Sequence, residues 1–125
     1  MKKKVLVIDD DALVLKSVRN LLTRKGHEVI LAKTGDEAES GLRQNEIDLI
    51  ISDIRMPGRD GITVVTSLKK ICEEELKKEI PFLFMTGYAS EEAPIDALKL
   101  GAKDYLLKPL DLDEFMASVN KHIGE

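Results

Sequence analysis

Four short apolar runs stand out along the chain, and each stops at a polar residue. Val5-Leu6-Val7-Ile8 ends in Asp9-Asp10, and Leu49-Ile50-Ile51-Ser52 ends in Asp53. Pro81-Phe82-Leu83-Phe84-Met85 ends in Thr86, and Tyr105-Leu106-Leu107 ends in Lys108-Pro109. Short runs that are apolar throughout, rather than at alternate positions, read as strands covered on both faces, the habit of parallel sheets. His27 to Ala32 reads as a further strand. The expected strands are Val5–Ile8, His27–Ala32, Asp48–Asp53, Pro81–Thr86 and Asp104–Leu107.

Between the strands the apolar period becomes helical. Val14, Val18, Leu21 and Leu22 recur on one face, and Gly26 supplies a stop. Thr34-Gly35-Asp36-Glu37 has capping-box spacing and starts a second helix. A long third helix is expected from about Ile62 into the charged stretch before Pro81. Ser90-Glu91-Glu92 opens a fourth, where Pro94 is tolerated because first-turn amides have no helical partner. Asp111-Leu112-Asp113-Glu114 caps a fifth, carrying Leu112, Phe115, Met116, Val119 and Ile123. Strand and helix alternate throughout. That predicts an α/β protein, a three-layer α/β/α sandwich on a five-stranded parallel sheet.

Composition narrows the class. The 125 residues suit one domain over 1–125, with no linker, repeat or boundary. A net charge of −4 argues against direct nucleic-acid binding, and Lys2-Lys3-Lys4 reads as solvating the start of a buried strand. No apolar stretch reaches the ~20 residues of a membrane span. Val5 to Ile8 is shorter than the ~7–15 residues of a signal core, so the expected location is cytoplasmic. Cys72 stands alone, without a disulfide or metal-ligand companion, and reads as a small apolar filler on a helix.

The polar residues that end the runs carry the chemistry. Carboxyl ends of parallel strands meet at one sheet edge, where open α/β folds bind ligands. Asp9 and Asp10 side by side repel each other, and a hard divalent cation relieves that repulsion. Mg²⁺ suits such a site, since it accepts a few carboxylates and phosphate oxygens while keeping several waters; Mn²⁺ is the alternative. Alone, the pair reads more readily as a helix N-terminal cap with no metal, and Asp11 faces away or caps the first helix. Asp53 changes the balance. Beside a divalent cation its oxygen can attack phosphorus to form an acyl phosphate. Thr86 can then hydrogen-bond a phosphoryl oxygen, and the Lys108 ammonium can pair with it. Taken singly, Thr86 is an ordinary strand end and Lys108 a solvated loop residue.

The motifs Val-Leu-Val-Ile-Asp9-Asp10-Asp11, Asp48-Leu-Ile-Ile-Ser-Asp53-Ile-Arg-Met-Pro57-Gly58, Thr86-Gly-Tyr-Ala and Gly101-Ala-Lys-Asp-Tyr105-Leu-Leu-Lys108-Pro109 together resemble the receiver domain of two-component response regulators. The resemblance covers the whole chain and is closest in wording to receivers of NtrC-type regulators. It implies a CheY-like, doubly wound flavodoxin-like (βα)5 fold. It implies that Asp53 is the phosphoacceptor, assisted by Lys108 and Thr86. Asp10 and Asp53 would hold Mg²⁺ directly, Asp9 through water, and Arg55 by its backbone carbonyl.

Further expectations follow from the resemblance. Thr86 and Tyr105 would act as a switch, the Lys108-Pro109 bond would be cis, and Arg55 and Tyr88 would flank the route of hydrolytic water. The implied partners are a sensor histidine kinase or phosphotransfer protein, and a downstream protein or missing output domain. A phosphorylation-dependent homodimer through the face of the fourth and fifth helices is a further expectation, as is a switch of the surface formed by the fourth helix, fifth strand and fifth helix. The charged stretch before Pro81 is longer than usual for the family, which leaves the end of the third helix open. Two alternatives stay in view. One is a pseudo-receiver that binds partners without phosphorylation. The other is a phosphatase of the haloacid-dehalogenase type, suggested by Asp9-x-Asp11, Thr86 and Lys108 but giving Asp53 no role.

Overall fold

A computed structural model describes residues 2–87 and 97–123. Strands β1 (Lys4–Ile8), β2 (Glu28–Ala32), β3 (Leu49–Asp53), β4 (Phe82–Thr86) and β5 (Asp104–Leu107) form one parallel sheet in the order β2-β1-β3-β4-β5. Helices α1 (Ala12–Arg24), α2 (Gly35–Gln44), α3 (Gly61–Ile71), α4 (described over 97–100) and α5 (Leu112–His122) connect the strands and follow the last. No helix among the described residues is long and apolar enough to cross a membrane.

The unbroken apolar runs have a direct cause. Alternate residues of each strand feed two separate cores. Leu6, Ile8, Ile50, Phe82 and Phe84 pack with Leu42, Val64, Leu68 and Ala97, on the α2–α3–α4 side. Val5, Val7, Leu49, Ile51, Leu83 and Met85 pack with Leu15, Leu22, Phe115 and Val119, on the α1–α5 side. Both faces of the central strands β1, β3 and β4 are dry, so neither parity can be polar along their cores.

The starts of β1 to β4 differ from the expected ones by a residue, each for a local reason, while β5 starts at Asp104 as expected. Lys4 joins β1, paired with Glu28. His27 closes α1 instead of entering β2: its N–H donates to Leu22 O, and Gly26, at φ +87°, donates to Thr23 O. This is the paired C-terminal cap that a left-handed glycine permits. Asp48 brackets the sheet edge rather than extending β3, its N–H donating to Lys4 O and its carboxylate accepting from Lys4 N–H. Pro81 has no N–H for a ladder, although its carbonyl accepts from Ile50 N–H.

The capping residues also show where sequence reading needs correction. Thr34 Oγ1 accepts from Glu37 N–H, but Glu37 Oε1 reaches back to Lys33 N–H at 2.8 Å, one residue before the cap. The third helix starts at Gly61, capped by Asp60, and its α-helical part ends at Ile71. The charged stretch continues as a π-helical turn, Cys72–Leu76, stopped by Lys77 in the left-handed region at φ 55°. Of the apolar residues expected along the fifth helix, Phe115, Val119 and Ile123 are buried, whereas Leu112 is 56% exposed. Cys72 is buried, matching its reading as an apolar filler. The expected start of the fourth helix at Ser90-Glu91-Glu92, with Pro94, lies outside the described residues.

Lys77 yields a prediction. A left-handed backbone costs a non-glycine residue roughly 1–2 kcal/mol, and glycine returns about half of that as unfolded-state entropy. Lys77→Gly is expected to raise stability by about 0.5–1 kcal/mol. Urea unfolding measures it, and a variant less stable than wild type would overturn the strain argument.

Candidate functional site

Strand order sets the place of the site. β1 lies between β2 and β3, so the connections leaving β1 and β3 run to opposite faces and open a crevice at their carboxyl ends. Register then levels the side chains. Ile8 pairs with Ser52, so Asp9 and Asp53 follow at the same height.

Asp9 continues the ladder, its N–H donating to Ala32 O at 3.1 Å, and its side chain is fully buried. Oδ1 accepts from Asp11 N–H at 2.9 Å, which turns the chain out of the sheet. Asp10 is exposed at that turn. Asp11 caps α1, accepting from Leu13 and Val14 N–H, so its carboxylate is turned to helix capping. That removes the second carboxylate a haloacid-dehalogenase reading requires. Asp53 ends β3 and is only 5% exposed. Carboxylate oxygens of Asp9, Asp10 and Asp53 lie within 4.8 Å of one another.

Lys108 enters from β5. Its N–H donates to Thr86 O at 2.8 Å, its peptide with Pro109 is cis, and its ammonium reaches the carboxylates. Nζ donates to Asp9 Oδ2 at 2.7 Å and lies 3.5 Å from Asp53 Oδ2. Burial and the charge of Asp9 push the Asp53 carboxyl up to about 6, against the opposing pull of Lys108. Burial alone would depress the Lys108 ammonium, but the hydrogen bond to Asp9 and the charge of Asp53 outweigh it, leaving its pKa raised. Three carboxylates face one ammonium, a negative surplus offered entirely through oxygen. This donor set fits a hard divalent cation such as Mg²⁺.

Thr86 ends β4 and is buried. Tyr105 pairs with Phe84, and Leu107 with Thr86, which puts Tyr105 and Thr86 on the same sheet face two positions apart. Tyr105 is half-buried against the α2–α3–α4 core, and burial raises its hydroxyl pKa. Arg55 lies in the loop after Asp53; Tyr88 lies outside the described residues.

Sequence reading passed over Gly61. Its N–H donates to Ile54 O at 2.6 Å, and a Cβ there would stand 2.8 Å from the Asp53 carbonyl carbon and closer still to its oxygen. The Asp60-Gly61 step before an apolar helix was the available signal. A cavity of about 590 Å³, lined by Leu68, Cys72, Ile80, Phe82, Lys78 and Lys103, sits at the amino ends of the strands. It takes no part in the carboxylate site.

Comparison with known proteins agrees with this geometry. The family model of the response regulator receiver domain matches residues 5–120. The transcriptional regulatory protein ZraR of Escherichia coli (strain K12) is 40% identical over 120 residues, covering 96% of this chain but 26% of that protein. The transcriptional regulatory protein PrrA of Mycobacterium bovis is 38% identical over 116 residues, covering 93% of this chain and 48% of that protein. The chain therefore spans about a quarter to a half of the length of these relatives. Among solved structures, a response regulator receiver protein from Pseudomonas putida superposes with a TM-score of 0.86 at 30% identity, covering 97% of this chain and 98% of that one. A CheY-like receiver domain protein from Methanospirillum hungatei JF-1 gives 0.85 at 27% identity, covering 98% and 94%. The parallel sheet, its switch-point crevice and the matched length lead to one assignment: the chain belongs to the response regulator receiver domain family of two-component systems.

Proposed function

We propose that Asp53 accepts a phosphoryl group from a sensor histidine kinase or phosphotransfer protein, in a reaction that depends on Mg²⁺. The observation that carries this reading is the Lys108 ammonium, 2.7 Å from Asp9 and 3.5 Å from Asp53, beside carboxylates close enough to share one cation. Asp10 and Asp53 would hold the ion directly, Asp9 through water, and the Arg55 carbonyl would complete the set; Mn²⁺ can substitute. The bound ion supplies neutralisation of charge on the transferring oxygens.

The remaining chemistry belongs to the side chains. An Asp53 carboxylate oxygen attacks phosphorus, the bond to the donor nitrogen breaks, and the donor imidazole leaves with that electron pair. An acyl phosphate remains on Asp53. Lys108 pairs with a phosphoryl oxygen, and the Thr86 hydroxyl donates to another. Thr86 shifts toward the new oxygens, Tyr105 turns into the vacated space, and the surface formed by α4, β5 and α5 changes. The equilibrium is two-state, biased by phosphorylation, so the active form exists before it. The domain assists only its own phosphorylation and dephosphorylation, and acts in the cytoplasm. Its output is a further domain of a longer regulator or a separate protein, with homodimerisation through the changed surface.

Intact mass after incubation with acetyl phosphate and Mg²⁺ tests the reading. Wild type is expected to gain one phosphoryl group, lost on chelation, and Asp53→Ala none. No gain in folded wild type would favour a pseudo-receiver, and modification of Asp53→Ala would assign the wrong nucleophile.

A further inference from the structure

The loop between β3 and α3 carries the Arg55 carbonyl, yet Met56 to Arg59 make no backbone–backbone hydrogen bond with a described residue. By backbone hydrogen bonds among the described residues, the loop is tied at its ends. Ile54 N–H donates to Met85 O at 3.2 Å, and Gly61 N–H donates to Ile54 O. Between them Met56 packs against the core and Arg59 grips α2. Nη1 donates to Glu39 Oε2 and Nη2 to Asp36 Oδ1, each at 2.9 Å. The same Glu39 oxygen accepts from the Ser67 hydroxyl of α3, so one carboxylate joins the loop to the helices on either side. Hydrogen bonds from Arg59 and Ser67 hold the Glu39 carboxyl below the usual carboxylate range.

The clamp has a socket. The Arg59 guanidinium lies against the backbone of Gly35, where an added Cβ would stand 2.7 Å from Cζ and 2.8 Å from Nε. Gly35 is the first residue of α2, and only the absence of a side chain lets the guanidinium settle there.

We infer that Arg59 is a positioning residue: clamped over Gly35 to Asp36 and Glu39, it holds the 55–59 loop so that the Arg55 carbonyl stays placed for a divalent cation. The inference rests on the metal-dependent receiver reading above. Groups that orient a metal's ligands carry roughly 10–100-fold of its affinity. Global stability depends on the clamp far less, because Asp36 is nearly fully exposed and such ion pairs contribute little.

Charge alone predicts the opposite sign. Removing a cation near a divalent-ion site strengthens binding by Coulomb's law, whereas loss of positioning weakens it. Gly35→Ala separates the two further. It keeps every charge, adds a better helix former, and ejects only the flexible guanidinium.

The experiment titrates Mg²⁺ alone into unphosphorylated wild type, Arg59→Ala and Gly35→Ala, following amide resonances of Asp10, Asp53 and Arg55. Both variants are expected to bind Mg²⁺ about tenfold more weakly or worse. Their phosphorylation rates at saturating Mg²⁺ should return to the wild-type value, and their metal-free melting temperatures should stay close to it. Unchanged or tighter binding by Arg59→Ala, or wild-type binding by Gly35→Ala, would overturn the inference. So would a rate deficit that persists at saturating Mg²⁺, which would place Arg59 in the chemistry itself. Wild type that fails to bind Mg²⁺ would instead overturn the metal reading on which the inference stands.

Discussion

Gly61→Ala is expected to cost about 3 kcal/mol of folding stability, near the upper end for overpacking a tight site. In a domain of this size that lowers the melting temperature by roughly 10 °C. The new methyl group meets backbone, not side chain: the Asp53 carbonyl and the Ile54 Cα both lie inside 3.0 Å of it. Backbone cannot swing aside, so β3 and the start of α3 must separate, breaking the Gly61–Ile54 hydrogen bond. Because the displaced carbonyl belongs to Asp53, phosphoryl uptake should fall with stability. Urea unfolding compares this variant with Gly35→Ala, whose methyl meets only the movable Arg59 guanidinium and should change stability by less than about 1 kcal/mol. Equal effects at the two glycines would overturn the distinction between rigid and flexible neighbours.

Lys108→Met is expected to cost about 3–5 kcal/mol in metal-free protein at pH 8, the range for breaking a buried ion pair by removing one partner. It leaves the buried carboxylates of Asp9 and Asp53 facing each other without their ammonium. The pH dependence carries a definite sign. The folded pKa of Asp53, about 6, lies above its ordinary value of 3.8. The folded protein thus holds that proton more tightly than the unfolded chain does. The stabilisation is complete below the unfolded value and lost as pH rises through about 6, a swing of about 3 kcal/mol.

Lys108 has a raised pKa, so its own contribution is present below the ordinary lysine value and stays constant between pH 5 and 8. Removing it takes away a charge that lowers the Asp53 pKa. The deficit of Lys108→Met should therefore be large at pH 8 and shrink toward pH 5, as Asp53 takes up a proton. Added Mg²⁺ should restore part of it at pH 8. Denaturant unfolding with chelator at both pH values tests this, and a deficit independent of pH would contradict it.

Much of the fold was legible in residue pattern because both faces of the central strands are dry. Val5 to Ile8 and Leu49 to Ile51 had no other consistent reading, and Gly26, Asp11 and Asp111 punctuated the helices through short-range hydrogen bonds. Where pattern misled, a neighbour decided. The third helix changed to a π turn at Cys72 and stopped at Lys77, in a left-handed conformation that no residue type announces. Leu112 fits an apolar helix face by spacing, yet at the first turn of α5 that position faces outward. Gly61 and Arg59 escaped notice for a related reason: their partners, the Asp53 backbone and the first turns of α2, come close only in the folded chain.

By itself, the sequence determined the strands, the helix caps and the polar residues standing at strand ends, because each depends on chemistry within a few residues. Tertiary structure alone decided which of those residues meet. Lys108 reaches Asp9 across 99 positions of sequence, Arg59 finds Glu39 across 20, and Asp53 acquires a pKa near 6 only when burial removes its water and Asp9 lies beside it. Strand order and register create those distances, and both are set by packing on two faces of the sheet at once, which no local window contains.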